Sequence, residues 1–295
     1  MDKLYETTLL TDYKNNREKS KTVVNKHIDS NKVAVIFDPR YDDLMKAVIY
    51  NFMKQLNNWK WNLIIFSSKM YETEIYTDFS NCTFIPIPEQ YIYYKDGQPN
   101  ITIDSYNEIF MSRLLWNKIP YEHILVFQKD CYMYKMFNEE DIFKYDYIGA
   151  YCAGLDSVNF AIGCINGGCS YRKKSAMLDC INNVDWHMIN VNNHNLISQG
   201  INVIEDFIHK QIIYEPVVNN LINLNTLITW KVEDVFFSHA CQILKKNLPP
   251  TLERDRFSVE TPMSYMINGG KIDTCFCHAW NKNYYPFELA KNMLN

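Results

Sequence analysis

Glycine is scarce in this chain of 295 residues, nine in all. Neither spacing that cradles a phosphate on backbone amides, G-x-G-x-x-G or G-x-x-x-x-G-K-[ST], follows its first apolar run. A dinucleotide fingerprint and a P-loop are thereby excluded, and any phosphate bound here must be held some other way, with a metal the obvious candidate. A charge excess is also lacking: 30 Lys and Arg stand against 34 Asp and Glu, a formal net charge of -4, and the basic residues are scattered. Nothing there attracts a polyanion, so nucleic acid is excluded as the expected partner. No apolar stretch approaches the roughly 18 residues of a membrane span. Met1 to Ser30 is polar and charged, without the apolar segment of a secretory leader. The expectation is a cytoplasmic protein with no membrane span. Nine cysteines lack framework spacing, which predicts reduced thiols. Cys275-Phe-Cys277-His278 has no second Cys or His pair at zinc-ligand spacing.

What is there reads as α/β. With 47% hydrophobic and 22% charged residues the chain is an ordinary globular protein. Val33 to Phe37 is a continuous apolar run, as a parallel strand buried on both faces requires, and Asp38-Pro39-Arg40 breaks it. From Asp42 to Leu56 the residues Leu44, Ala47, Val48 and Phe52 keep helical spacing, with Asp42-Asp43 placed to cap the start. Trp61 to Ser68 and Thr83 to Ile87 predict two more strands. Tyr106, Ile109, Phe110 and Leu114 form a helical stripe before Pro120. Ile124-Leu-Val-Phe-Gln128-Lys-Asp130 is then an apolar strand running out into Gln-x-Asp. Strand alternation puts Gln128 and Asp130 on one face and Lys129 on the other. If the strands are parallel, Asp38, Arg40, Ser67, Ser68 and Asp130 gather on one sheet edge, where open α/β folds bind ligands.

The second half has more polar punctuation. Tyr145 to Tyr151 predicts a short strand or bend, and Ile165-Asn166-Gly167-Gly168-Cys-Ser170 a turn before a helix that starts at Lys173. Paired glycines admit a ligand close to the backbone, and Asn166 offers donor and acceptor to a sugar hydroxyl; an Asn-Gly turn without function has the same signature. Residues from about 182 to 225, with an amphipathic pattern at Val203, Ile204, Phe207, Ile208 and Ile212, suggest a peripheral insertion. Glu233-Asp234 opens a helix that carries Phe237, Ala240, Cys241 and Leu244 on one face and stops at Leu248-Pro249-Pro250. Two acids there suit a general base, and equally ordinary helix capping. The chain therefore divides into a polar extension over 1–30 and one domain over 31–285. The expectation is a nucleotide-binding half over 31–130, on the carboxyl edge of the sheet, and an acceptor half over 131–285.

These stations occur in a particular order: Val33 to Arg40, Asn58-Trp59, Tyr106-Asn107, Ile124 to Asp130, Asp146-Tyr-Ile-Gly-Ala150, Asn166-Gly-Gly168 with Ser170 and Arg172, Glu233-Asp-Val-Phe-Phe237, Phe257-Ser-Val-Glu260, and His278-x-Trp280. The series resembles a glycosyltransferase-like family of bacteria, algae and giant viruses, long described only as a domain of unknown function and similar to GT-A enzymes. The resemblance implies a GT-A-like fold, a mostly parallel mixed sheet flanked by helices, and location in the host cytoplasm if the chain is viral. It implies a nucleotide-sugar donor, a UDP-sugar favoured, and transfer to a hydroxyl of a glycan or protein acceptor. Asp130 and His278 correspond to the ligands of Mn2+ or Mg2+, with Gln128 where such enzymes usually carry an acid. Asp234 corresponds to the base and Glu233 to a residue orienting the acceptor, in an inverting reaction. Donor binding falls to Asp38, Pro39, Arg40, Ser67, Arg113, Gln128, Lys129 and Asp130, with Arg40 or Arg172 helping to neutralise the leaving diphosphate. Acceptor or sugar binding falls to Asn166, Gly167, Gly168 and Trp280. Two alternatives stand beside this: an inactive sugar-nucleotide or glycan-binding module, and a structural protein holding zinc on Cys275, Cys277 and His278.

Overall fold

The computed structural model describes residues 2–151, 164–192, 231–259 and 274–278. Apolar runs without polar interruption suit strands covered on both faces, and such runs form the centre of the main sheet. β1 (Lys32–Phe37), β2 (Asn62–Ser67) and β3 (Thr83–Pro86) pair in parallel. β4 (Tyr93–Lys95) and β5 (Gln98–Asn100) form a separate hairpin. β6 (His123–Phe127) lies parallel to β1 on its other side, with Val33 opposite Ile124 and Ile36 opposite Phe127. After the short β7 (Tyr132–Met133) come β8 (Tyr147–Tyr151) and β9 (Ile165–Lys173), both antiparallel additions. The result is a six-stranded mixed sheet in the order β3-β2-β1-β6-β9-β8. β10 (Ser258–Val259) and β11 (Phe276–Cys277) join β7 in a small second sheet.

Among the described residues ten α-helices surround these strands: α1 (Asp2–Asn15), α2 (Arg17–Ser20), α3 (Asp43–Leu56), α4 (Glu72–Asp78), α5 (Ile103–Phe110), α6 (Arg113–Lys118), α7 (Glu139–Phe143), α8 (Lys174–Asn183), α9 (Glu233–Ile243) and α10 (Thr251–Phe257). Strand alternation divides the core. Ala34, Ile36, Leu63, Ile65, Leu125 and Phe127 face α3 and α1. Val33, Val35, Phe37, Ile64, Phe66, Ile124 and Val126 face α5, α6, α8 and α9. α3 starts where the sequence predicts, because the Asp42 carboxylate accepts the Met45 N–H at 2.9 Å and satisfies one orphan donor of the first turn. No helix among the described residues is long and apolar enough to cross a membrane.

Four expectations are corrected. Residues 1–30 are not a bare polar extension. α1 carries Tyr5, Leu9 and Tyr13 at four-residue intervals and buries all three against the core, with Tyr5 edge-on to Tyr132 at 5.6 Å. The single helical stripe from Tyr106 to Leu114 is two helices, α5 and α6, and Leu114 is exposed. The buried face passes instead to Leu115 and Trp116, whose indole N–H donates to Phe110 O at 2.7 Å. α9 ends at Ile243, before the prolines, and Lys245 adopts the left-handed backbone that turns the chain. The Asn166-Gly167-Gly168 turn is strand β9, for a reason that belongs to the site.

Candidate functional site

β1 and β6 run side by side and end together, so the residues after them share the carboxyl edge of the sheet. Asp38-Pro39-Arg40 and Gln128-Lys129-Asp130 line one cavity there, of about 590 Å³. The opposite wall is Asn166 and Gly168 of β9, Glu233 and Asp234 at the start of α9, and His278 just past β11. Tyr106 and Asn107 of α5 and Glu6 of α1 complete it.

On the parallel side the charged groups are paired within reach of water. Arg40 forks onto Asp38, Nε to Oδ1 at 2.9 Å and Nη2 to Oδ2 at 2.8 Å, and its backbone N–H donates to Oδ1 as well. That bond is the chief cause of a guanidinium pKa above the ordinary one. Lys129 aligns its ammonium with Asp42 Oδ2 at 2.8 Å. Burial alone would raise the Asp42 carboxyl, but the Lys129 bond and the Met45 amide hold it below the ordinary value. Ser67 does not line the cavity; its buried hydroxyl donates to Pro39 O at 3.2 Å and fixes the loop from behind. Arg113 is exposed on α6 and is not among the lining residues.

Asp130, Cys131 and His278 form a group whose ligand atoms all lie within 4.8 Å of one another. His278 Nε2 is 3.0 Å from Gln128 Oε1 and 3.5 Å from Asp130 Oδ1. The expected alternation is corrected, because β6 ends at Phe127 and a turn, not a strand, brings both groups to His278 with Lys129 in the same lining. Cys131 is the misfit for a hard cation. Burial, then its neighbour Cys169, push its thiol well above the ordinary range, and Sγ donates to Gly168 O at 3.3 Å. A protonated thiol is no ligand for Mg2+ or Mn2+, whereas a carboxylate, an amide oxygen and an imidazole are. Among the described residues Cys275 and Cys277 form no such group with His278; Cys277 Sγ accepts from the Tyr134 hydroxyl at 3.4 Å.

On the antiparallel side the charges are sealed in. Arg172 is fully buried, its two terminal nitrogens on Glu233 at 3.0 and 3.1 Å, Nε on Ser170 Oγ at 2.9 Å, and Nη2 also on Gly167 O at 3.1 Å. Phe110, Trp116, Tyr147 and Phe237 surround the guanidinium at 5.0 to 5.8 Å. Burial works against its charge, yet Glu233 outweighs it and the pKa stands above that of an ordinary arginine. Arg172 therefore cannot help neutralise a leaving diphosphate. Its charge is spent on Glu233, whose backbone N–H is taken by Asn107 Oδ1 at 3.1 Å. Asp234 is half-buried; Oδ1 accepts the Gly167 N–H at 2.7 Å and Oδ2 lies 3.5 Å from Asn166 Nδ2.

The adjacent glycines of β9 bring the two sides together. A methyl group on Gly167 would overlap Arg172 Nη2, Glu233 Oε1 and Asp234 Oδ1, and one on Gly168 would overlap the His278 ring. Strand alternation presents one bare backbone to the acids and the next to the histidine. That is why a Gly-Gly pair stands in a strand. Gly167 itself lies behind the cavity wall, while Asn166, whose Oδ1 accepts the Gly168 N–H at 2.8 Å, faces it. Trp280, Glu260 and the pattern from Val203 to Ile212 lie outside the described residues.

Sequence reasoning missed Glu6 and the role of Tyr106. The spacing of Tyr5, Leu9 and Tyr13 is the signal that could have placed Glu6 on a packed helix. Nothing local marks Tyr106 as more than core. Counting the lining, the carboxylates of Glu6, Asp38, Asp130, Glu233 and Asp234 face the cations Arg40 and Lys129.

A comparison with curated proteins returns no match. Residues 90–278 match one family along their whole length, a stretch that begins just after β3 and ends on the histidine of the cavity. With more than half of its residues inside that match, the chain belongs to the family described as "Protein of unknown function (DUF5672)".

Proposed function

We propose that this protein is a GT-A-like glycosyltransferase that moves a sugar from a nucleotide-sugar donor, a UDP-sugar, to a hydroxyl of a glycan or protein acceptor. One observation carries the reading. At the carboxyl edge of parallel strands, a cavity of about 590 Å³ holds an O,N corner of Gln128, Asp130 and His278, and the neighbouring carboxylate of Asp234 stands on the other side of a Gly-Gly strand. Its lining carries more acid than base, which repels a bare diphosphate and favours one that arrives with a divalent cation. Mn2+ or Mg2+, held by Asp130 and His278, would supply positive charge to the diphosphate as it leaves.

The chain's own groups do the rest. The acceptor oxygen forms a bond to the anomeric carbon while the bond from that carbon to the diphosphate oxygen breaks. The bonding pair leaves with the nucleoside diphosphate, and the acceptor's proton passes to Asp234. The Gly167 N–H holds Oδ1 at 2.7 Å and Asn166 Nδ2 lies 3.5 Å from Oδ2, so β9 orients the carboxylate that would take the proton. Attack opposite the leaving group inverts the anomeric centre. Glu233, locked on Arg172, keeps the start of α9 and thus Asp234 in place. Arg40, half exposed beside Asp38, is the cation able to turn toward a phosphate.

Transfer assays with UDP- and GDP-sugars, with and without Mn2+, test the reading. Asp234→Asn is expected to lower transfer by at least about a hundredfold while UDP affinity, measured by calorimetry, stays within about twofold. Wild-type protein that binds UDP-sugars yet neither transfers nor hydrolyses them would instead be a binding module.

A further inference from the structure

Gln128 stands at the cation corner where a carboxylate would be the stronger ligand, and an amide has two unlike ends. Only the carbonyl oxygen can face a cation; the NH2 end would aim donors at positive charge. The orientation of this one amide therefore decides whether Gln128 contributes, and its NH2 end needs an acceptor on the far side. Tyr106 is that acceptor. Gln128 Nε2 donates to the Tyr106 hydroxyl oxygen at 2.9 Å, while Oε1 lies 3.0 Å from His278 Nε2. The phenol ring is itself fixed, stacked on Phe110 at 4.4 Å and edge-on to Phe37 at 5.6 Å. Burial raises its pKa well above the tyrosine range, so the group on the amide is a neutral hydroxyl.

We propose that Tyr106 is a positioning residue: by accepting from Gln128 Nε2 it holds the Gln128 carbonyl oxygen toward the cation that Asp130 and His278 bind. The proposal rests on the divalent cation in the reading above, and it makes Gln128 a neutral oxygen ligand in place of an acid. Without the hydroxyl, the productive orientation leaves a half-buried N–H pair short of an acceptor, while the flipped orientation aims that pair at the cation.

The symmetry of a carboxylate gives the test. Both oxygens of Gln128→Glu are alike, so no wrong end exists and the Tyr106 hydroxyl becomes dispensable for orientation. Mn2+ affinity of the full chain is measured by calorimetry and by the spectroscopic signal of free Mn2+, with saturating UDP, for wild type, Tyr106→Phe, Gln128→Glu and the double variant. Tyr106→Phe is expected to weaken Mn2+ about three- to tenfold in the wild-type background. It should change affinity by less than about twofold in the Gln128→Glu background, where Mn2+ binds more tightly than in wild type. Equal weakening in both backgrounds means a merely structural tyrosine and overturns the proposal, as does no effect in wild type. If Gln128→Glu does not fold, Gln128→Ala replaces it, and Tyr106→Phe is then expected to be silent. Wild-type protein that transfers sugar in EDTA and binds no Mn2+ would sink this inference and leave the transferase standing. Coupling of Tyr106 to Gln128 in a protein that transfers nothing would do the reverse.

Discussion

Two arginine–carboxylate forks stand at the cleft, one just after β1 and one between β9 and α9, and they differ in their access to water. The Arg40 and Asp38 side chains are 42% and 10% exposed; those of Arg172 and Glu233 are 0% and 3% exposed. The first joins residues two apart in one loop, the second residues 61 apart on β9 and α9. A charge at the surface can exchange one partner for another at little cost, because water solvates it in passage. A buried charge cannot, because it would cross low dielectric alone. The parallel edge thus offers movable charges to a ligand. The antiparallel edge spends its charges on holding Glu233 and Asp234 still, and the same residue types do opposite work.

The largest expected effect comes from breaking the buried fork. Arg172→Met leaves Glu233 as a sealed, unpaired carboxylate and takes a donor from Gly167 O, so urea unfolding should show a loss of about 3–5 kcal/mol. Adding Glu233→Gln should recover part of that loss, because the uncompensated charge is gone. A loss below about 1 kcal/mol for Arg172→Met would put the buried fork in the class of surface ion pairs and remove the contrast between the two sides.

The same contrast explains what could be read from the sequence. β1, β2, β6 and the Asp42 cap of α3 are legible because their causes are local: an unbroken apolar run, or a carboxylate three residues before the amide it caps. The parallel edge is correspondingly legible, since Asp38, Arg40, Gln128 and Asp130 follow directly from where strands end. The buried side is not. That Arg172 belongs to Glu233 and not to a ligand depends on two elements meeting in space, and four aromatic rings from four elements complete its surroundings. Asn166-Gly167-Gly168 has the sequence of a turn; it is a strand because Asp234 and His278 lie where two β-carbons would be.

Acid should expose the difference next. His239 on α9 is completely buried, its Nδ1 accepting from Asn192 Nδ2 at 3.1 Å, and burial pushes its pKa down to about 4. An unfolded histidine takes up a proton near pH 6.5. Between those values the unfolded chain binds the extra proton, so stability falls as pH falls, by up to about 1.4 kcal/mol per pH unit and roughly 3–3.5 kcal/mol in all. Asp42 on the other side has a depressed pKa, so its contribution is full above the unfolded value, near 3.9, and fades only as pH drops through the lower folded one. The two sides therefore lose stability in separate windows. Urea midpoints from pH 7 to 3 should show the upper window flatten in His239→Gln and persist in Lys129→Ala; an unchanged profile in His239→Gln would count against this assignment.

The smallest effect on stability is expected where ligand binding should suffer more. Arg40→Ala removes the exposed guanidinium, but Asp38, 10% exposed and bordering the open cavity, keeps the bond to its Oδ1 from the backbone N–H of residue 40 at 2.9 Å. Unfolding free energy should change by less than about 1 kcal/mol, as for other solvent-exposed pairs. UDP affinity in the presence of Mn2+ should fall by about ten- to 150-fold if Arg40 turns toward the diphosphate, since a charge-assisted bond contributes about 1.5–3 kcal/mol to the groups it joins. The two readouts separate the roles within one variant. Stability lost in step with Arg172→Met would make Arg40 scaffold as well, and UDP affinity unchanged beside intact stability would leave the parallel edge without its mobile cation.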